Sequence, residues 1–276
     1  MQETQEYLTF YETRNSEKFV TSDNPENLRL VQRMASWLQL APSDKVLDIG
    51  CSDGYFLERL RDRCSLENAA GIDVSEAATK KAQRLTAGKS GLRFVVGSVQ
   101  ALPFPAGSFD KIILNEVIEH VPDAEKALSE VSRVARPGAL IFATSPNAFD
   151  ELLPIFRPHA RKVDQVEGHV RRYSLKTLTE AVHRHGFDVL RVRYNGFLAT
   201  FVWYSAIIYN QPLKKFAMRL ITRSAPTIGS CESGRPRFNL VSLIPFVAMH
   251  LVKLIDAPFE GYHRGMGIHV LLRKRM

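Results

Sequence analysis

The stretch VLDIGCSDGYF, Val46–Phe56, decides how the rest of the chain is read. Its first four residues suit a buried strand. The next five hold two glycines, a serine and an aspartate, and an aromatic pair follows. A glycine turn leaving the first strand of a parallel sheet marks a phosphate or nucleotide site. The dinucleotide fingerprint G-x-G-x-x-G is not met, because Gly50-Cys51-Ser52-Asp53-Gly54 has serine in the middle place. Asp48 sits inside the strand end, two places before Gly50. A carboxylate there repels a pyrophosphate and favours a ligand carrying positive charge. The next apolar run ends in Gly71-Ile72-Asp73-Val74. An acidic side chain about 20 residues beyond the turn is placed to accept hydrogen bonds from ribose hydroxyls. The ligand implied is a nucleoside with a cationic or zwitterionic tail.

Working outward, apolar runs at Lys45–Ile49, Ala69–Ile72, Leu92–Val96, Lys111–Leu114 and Ala139–Ala143 read as buried strands. Helical segments near 55–64, 76–86 and 123–135 alternate with them. This predicts an α/β fold with a doubly wound, mainly parallel sheet of the Rossmann type. Asn24-Pro25 opens an amphipathic helix, within an N-terminal arm or lid spanning 1–40. Residues 146–172 read as one long connection holding several Arg and His. Ser174 caps a helix to about His185, which Gly186 ends. Phe187–Tyr194 and Gly267–Arg273 read as strands that pair antiparallel, so the last of seven strands is antiparallel. The core therefore comprises 41–195 plus 265–276, with 196–264 inserted before the last strand. That insertion holds two apolar stretches, Gly196–Asn210 and Phe238–Ile255, both too short or interrupted to span a bilayer. A helical apolar cap with its own small core is one reading. A surface that meets a lipophilic acceptor, a membrane or a second copy is the other, since Lys214, Lys215, Arg219, Arg223, Arg235 and Arg237 flank the stretches.

The chain of 276 residues carries a net charge of +8. Residues 1–150 hold 17 Lys+Arg and 21 Asp+Glu, and the remainder holds 20 and 8, so all the basic excess lies in the second half. An anionic partner or a solvated basic face accounts for it. Three scattered cysteines exclude a disulfide framework or zinc ribbon and suit a reducing compartment. The polar N-terminus lacks the apolar stretch of a secretory signal. The expected location is the cytoplasm, including the inner face of the membrane.

At this point VLDIGCSDG, GIDVS, GSVQALPFPAGSFDKIILNEVIEHV and ARPGALIFATSPN resemble, in order and spacing, the motifs of class I S-adenosylmethionine-dependent methyltransferases. The branch is the small-molecule one that includes the ubiquinone-biosynthesis O-methyltransferases. The resemblance covers roughly residues 40–195. It implies S-adenosylmethionine as cofactor. Asp48, Gly50, Cys51, Ser52, Asp53 and Gly54 would then line the methionine part, Asp73 the ribose and Val74 the adenine. Ser98 and Val99 would meet the adenine edge, with Ser98 standing where the family commonly has aspartate. Asn115 would lie beside the sulfonium.

Methyl transfer from a sulfonium needs alignment, and an acceptor hydroxyl or acidic carbon also needs a base. The candidates are Glu116, Glu119, His120 and His169. If the segment after Asn115 turns helical, Glu116, Glu119 and His120 share one face. They form a chemically sensible set for a divalent ion, and the resemblance implies magnesium at such an E-x-x-E-H segment; an acidic pair capping the next helix is the structural alternative. Arg171 and Arg172 are read either as binding an acceptor phosphate or carboxylate or as solvent charges. Tyr11 and Arg14 lie in the arm expected over the cofactor.

The function expected is methyl transfer to oxygen on a small or lipid-linked acceptor: a prenyl quinone, an isoprenoid diphosphate or a lipid-linked sugar. An RNA or tRNA methyltransferase is the alternative. The fourth strand ends in Asn-Glu-Val-Ile rather than the Pro-Pro-aromatic phrase that grips a flipped base, which counts against it. A non-catalytic protein on the same scaffold is the second alternative, and the intact Asp73 and glycines count against that.

Overall fold

The computed structural model describes residues 25–195 and 265–276, together with Thr9, Tyr11, Glu12, Thr21 and Asp23. Asn24, Arg14 and the insertion at 196–264, with its cap, membrane and oligomer readings, lie outside the described residues. Seven strands form one sheet: β1 Lys45–Ile49, β2 Asn68–Asp73, β3 Leu92–Val96, β4 Phe109–Asn115, β5 Ala135–Pro146, β6 Phe187–Asn195 and β7 Gly267–Lys274. The order across the sheet is β3-β2-β1-β4-β5-β7-β6. β1 to β5 are parallel, and β7 inserts antiparallel between β5 and β6. The predicted mainly parallel sheet with an antiparallel last strand is the one observed.

Among the described residues six helices cover it: α1 Pro25–Leu38, α2 Tyr55–Cys64, α3 Glu76–Leu85, α4 Ala124–Val134, α5 Arg157–Glu167 and α6 Leu175–Arg184. Alternate strand residues feed opposite cores, as the pleat requires. Val46, Ile113, Phe142 and Leu271 pack under α1 and α2 with Met34, Leu38, Leu57 and Leu60. Leu47, Ile112, Ile141 and Val270 pack under α4 and α6 with Leu128, Val131, Leu178 and Val182. Strands buried on both faces explain why the sequence reads as continuous apolar runs.

Caps fix the helix starts. The Ser174 side chain accepts from the Thr177 amide while Thr177 returns a bond to the Ser174 amide. Asp123 caps α4 through the Lys126 amide, so neither Glu116 nor Glu119 serves as that cap.

Two expectations are corrected. The segment after Asn115 is a tight turn and not a helix. Glu116 takes a left-handed backbone (φ 53°), its amide bonds Thr144 Oγ1 at 2.9 Å, and the His120 amide closes on Val117 at 3.0 Å. Residues 146–172 are not one irregular connection, because they contain a 3₁₀ turn, Pro154–Phe156, and α5. α5 buries little besides His159 and Ala160, so its apolar periodicity is faint. Pro at its first turn and Gly168 at its end (φ 76°) were the available signals.

Candidate functional site

β1 and β4 are neighbours from which the strand order runs off in opposite directions, and their carboxyl ends open a crevice. The turn leaving β1 is tied to β2. The amides of Gly50 and Cys51 both bond the Ile72 carbonyl, at 2.8 and 3.1 Å. Ser52 adopts a left-handed conformation (φ 47°) and its amide donates to Asp73 Oδ2 at 2.9 Å. The serine in the middle place is thus held by the carboxylate of the next strand. Gly50 (φ 73°) is required twice over, since a Cβ there would stand 2.6 Å from Val117 Cγ2.

The other oxygen of Asp73 accepts from the Ser75 amide at 2.9 Å, at the cap of α3. Two backbone donors hold this buried carboxylate, yet burial still pushes it above the usual range. Asp48 is 3% exposed. Burial, and then the charge of Asp73, push its carboxyl up to about 8. Two acidic groups are therefore packed beneath one turn, an arrangement that a cationic ligand relieves. Burial raises the Cys51 thiol well above its ordinary value, with Asp48 and Asp73 adding to it. Cys51 is a packing group here and not a nucleophile.

The crevice is a cavity of about 260 Å³. Of the residues expected at the cofactor, Gly50, Ser52, Asp73, Val74 and Val99 line it. Asp48, Cys51, Asp53, Gly54, Ser98 and Asn115 are not on its wall and shape it from behind. Asp53 binds Thr21 through the amide (2.7 Å) and the hydroxyl (2.9 Å). Ser98 Oγ accepts from the Gln100 amide at 3.1 Å. Asn115 Oδ1 accepts from Thr144 Oγ1 at 3.1 Å.

Glu116, His120, Tyr11 and Glu167 form a second wall, and Val117 abuts Gly50. His169 does not line the cavity. It sits behind His120, with ring centroids 4.8 Å apart. Its Nδ1 lies 2.7 Å from Asp164 Oδ1; a carboxylate can only accept, so this nitrogen carries the proton. Arg172 grips the same carboxylate through Nε (2.9 Å) and Nη2 (2.7 Å), and its head also bonds the carbonyls of Asn147 and Ala160. Burial raises Asp164, but the bonds from His169 and Arg172 outweigh it and hold the carboxyl below the usual range. Arg171 points inward too, onto the carbonyls of Ile118, Val121 and Pro122. The reading of Arg171 and Arg172 as acceptor ligands or solvent charges is therefore replaced: both brace the loops behind the cavity. Sequence reasoning missed Asp164, the group that joins Arg172 to His169.

Glu119 is fully buried, and neither carboxylate oxygen has a hydrogen-bond partner. Burial raises its carboxyl well above the ordinary range, and the neighbouring Glu116 charge adds to this. Ligand atoms of Glu119, His120 and His169 all lie within 4.8 Å of one another. Among the described residues this is the set that could hold a metal ion, and His169 takes the place expected for Glu116. The partnerless carboxyl and two imidazoles fit a divalent ion.

A doubly wound sheet with an antiparallel last strand carries, at the end of its first strand, a glycine turn over two buried carboxylates. The chain belongs to the methyltransferase-domain family, whose sequence profile matches residues 19–192. This places it among the class I S-adenosylmethionine-dependent methyltransferases. It is 34% identical over 124 residues to the 2-methyl-6-phytyl-1,4-hydroquinone methyltransferase of Synechocystis sp., covering 44% of this chain and 39% of that protein. It is 38% identical over 115 residues to squalene methyltransferase 1 of Botryococcus braunii, covering 41% of this chain and 30% of that one. The chain spans about half the length of the curated relatives it matches. The crystal structure of the YcgJ protein from Bacillus subtilis shares the fold, with a TM-score of 0.57 at 18% identity over 90% of this chain and 99% of that one.

Proposed function

We propose that this protein transfers a methyl group from S-adenosylmethionine to oxygen on a small, lipophilic or lipid-linked acceptor. The observation that carries the cofactor half is the pair of buried carboxylates, Asp48 and Asp73, beneath a turn whose backbone is held to β2. The sulfonium and ammonium groups of the cofactor suit that charge, and its ribose suits Asp73. Asp48, Gly50, Cys51, Ser52, Asp53 and Gly54 serve the methionine part, with Ser98, Val99 and Val74 at the adenine and Asn115 near the sulfonium. Support for a lipophilic acceptor comes from two relatives named for prenylated or isoprenoid substrates and from the apolar composition of 196–264. A membrane surface at the inner face of the cell membrane is the corresponding setting for a lipid-linked acceptor. No helix among the described residues is long and apolar enough to cross a membrane.

Bound in this crevice, S-adenosylmethionine would supply an activated methyl group, and the proton of the acceptor hydroxyl would pass to His120. His120 lines this cavity, and its Nδ1 lies 3.4 Å from the Gly168 carbonyl. Asp164 fixes the tautomer of His169 behind it. Glu116 faces the same cavity. Most of the rate comes from alignment and exclusion of water, because the methyl donor is already activated.

Glu119's partnerless carboxyl favours a second reading of the acceptor wall. A divalent ion held by Glu119, His120 and His169 would acidify the acceptor hydroxyl when bound. Calorimetric titration with zinc and with magnesium tests it: binding to the wild type that disappears in Glu119→Gln supports the site, and no heat from either ion ends it.

The main test incubates the purified chain with methyl-labelled cofactor and with lipid and aqueous extracts. Labelled product from the lipid fraction is expected. Product only from the aqueous fraction overturns the lipophilic acceptor, and none from either overturns the activity.

A further inference from the structure

At the amino ends of the strands, opposite the crevice, the sheet carries a second cavity, of about 580 Å³. One connection leaves it open. β3 joins β4 through residues 97–108, and no helix forms there. A parallel sheet needs cover on both faces. Leu57 and Leu60 of α2 and Ala82 of α3 cover one face of β1, β2 and β3. On the other face, Leu102 and Phe104 of the helix-free connection join the core of Leu47, Ile49, Ala70 and Ile72. The amino ends lie beyond that cover, and there the apolar pattern stops. Lys45 stands two residues before Leu47, Asn68 two before Ala70, and Arg93 pairs with Ala70. The pleat therefore sets Lys45, Asn68 and Arg93 on one face of three adjacent strands. Ala70, Leu92 and Phe109 add apolar wall. The cations lining the cavity are Lys45, Arg93 and Arg136, and the acid is Glu67. Arg136 is engaged, bonding the Gly107 carbonyl at 3.1 Å and pairing with Asp110. The Arg93 guanidinium stands 5.6 Å from the centroid of the Phe104 ring. Among the described residues, neither Lys45 nor Arg93 forms an ion pair with Glu67 or any other acid.

We propose that this cavity is a second ligand site, for a small organic phosphate whose phosphate group sits between Lys45 and Arg93 and whose flat apolar body lies over Ala70, Leu92 and Phe109. β1 and β3 are two strand spacings apart, about 10 Å, and each long side chain spans more than half of that gap. The two heads can therefore converge over Asn68, whose amide donates to the same oxygens. A guanidinium and an ammonium suit a phosphate dianion, and two cations without a carboxylate partner lose no ion pair on binding it. Both heads are exposed and screened by salt, so the charge fixes the ligand's class and the apolar wall supplies much of the affinity. The cavity shares no lining residue with the crevice. The site therefore stands apart from the methyltransferase reading, and neither depends on the other.

Calorimetric titration of the full chain with 1-naphthyl phosphate tests the proposal, with inorganic phosphate and 1-naphthol as its separate halves. One molecule of 1-naphthyl phosphate is expected to bind per chain, and each half to bind at least about tenfold more weakly. Lys45→Gln and Arg93→Gln should each weaken the binding about fivefold, and the double variant about 20-fold. Both side chains are on the surface, so circular dichroism should stay unchanged in these variants. Glu67→Gln, which removes the opposing charge, should tighten binding about twofold. His120→Ala, on the wall of the crevice, should leave it unchanged. No heat from 1-naphthyl phosphate, or full affinity in the double variant, overturns the site. Loss of binding in His120→Ala with retention in the double variant moves the ligand to the crevice and overturns it equally. Binding of 1-naphthol as tight as that of its phosphate overturns the role of the two cations, and equally tight inorganic phosphate overturns that of the apolar wall.

Discussion

The two walls of the cavity are built by opposite strategies. On one side, Gly50, Ser52 and Asp73 sit on a turn and a strand end bonded to each other through the backbone, within 24 residues of sequence. On the other, Tyr11, His120 and Glu167 come from an arm, a turn and a helix end, and the partners behind them are braced by Arg171 and Arg172 from a fourth segment. The first wall is rigid because parallel pairing on both sides of β1 fixes it. The second is held by side chains reaching carbonyls of other loops. The contrast suits a scaffold whose methyl donor is constant and whose acceptors differ among relatives.

The largest effect is expected where the first wall is cut. Asp73→Ala removes the acceptor for the Ser52 and Ser75 amides and the carboxylate proposed to hold the ribose. It should weaken cofactor binding by at least about 100-fold, roughly 3 kcal/mol, measured by calorimetry on protein with unchanged circular dichroism. A loss under tenfold would mean that the turn holds its shape without β2's carboxylate.

Cutting the second wall should instead lower stability. Arg172 is nearly buried against Asp164, so Arg172→Met strands a charge and should cost about 3 kcal/mol in denaturant unfolding, with cofactor affinity of the folded protein preserved. His120→Ala, by contrast, should keep stability and cofactor affinity and lose about 100-fold in label transfer. If either variant abolishes cofactor binding, the two walls are not separable.

The pH dependence sharpens the comparison on the cofactor side. Asp48's folded pKa is raised, so between about 4 and about 8 the empty protein holds a proton that the unfolded chain has released. Stability of the empty protein should therefore fall as pH rises through that window, and Asp48→Asn should flatten the fall. Binding a cation favours the ionised form, so cofactor affinity should climb up to about pH 8 with proton release, seen as a binding enthalpy that varies with buffer. An affinity independent of pH in Asp48-containing protein would remove Asp48 from the account. The smallest effect belongs to Ser98→Ala, which loses one turn hydrogen bond and should change cofactor affinity less than about threefold.

The first wall was legible because its signals are local. Glycine at 50 and 54, an acidic strand end at Asp48 and a second at Asp73 all follow from strand and turn spacing. The mainly parallel seven-stranded sheet with its antiparallel last strand also followed, because strands covered on two faces read as continuous apolar runs. The second wall was only half legible. His120 and Glu116 were found, but their presumed helix is a left-handed turn that depends on Thr144, far along the chain. Arg172 looked like a ligand for phosphate because its partner, Asp164, lies on a helix whose polar sequence hides it. Tyr11 was placed in an arm over the cofactor, but its edge-on contact with His120 has no signature in the sequence.

Asn195 ends β6 and pairs with Gly267, the first residue of β7, while a Cβ on Gly265 would lie 2.8 Å from the Asn195 carbonyl. The chain leaves the sheet at Asn195 and returns at Gly265 to the same spot. A segment whose two ends meet can be lengthened, exchanged or replaced by a short linker without altering any strand pairing, much as a tool is changed on a fixed handle. A linker of a few residues should therefore join Asn195 to Gly265 with β6 and β7 still paired.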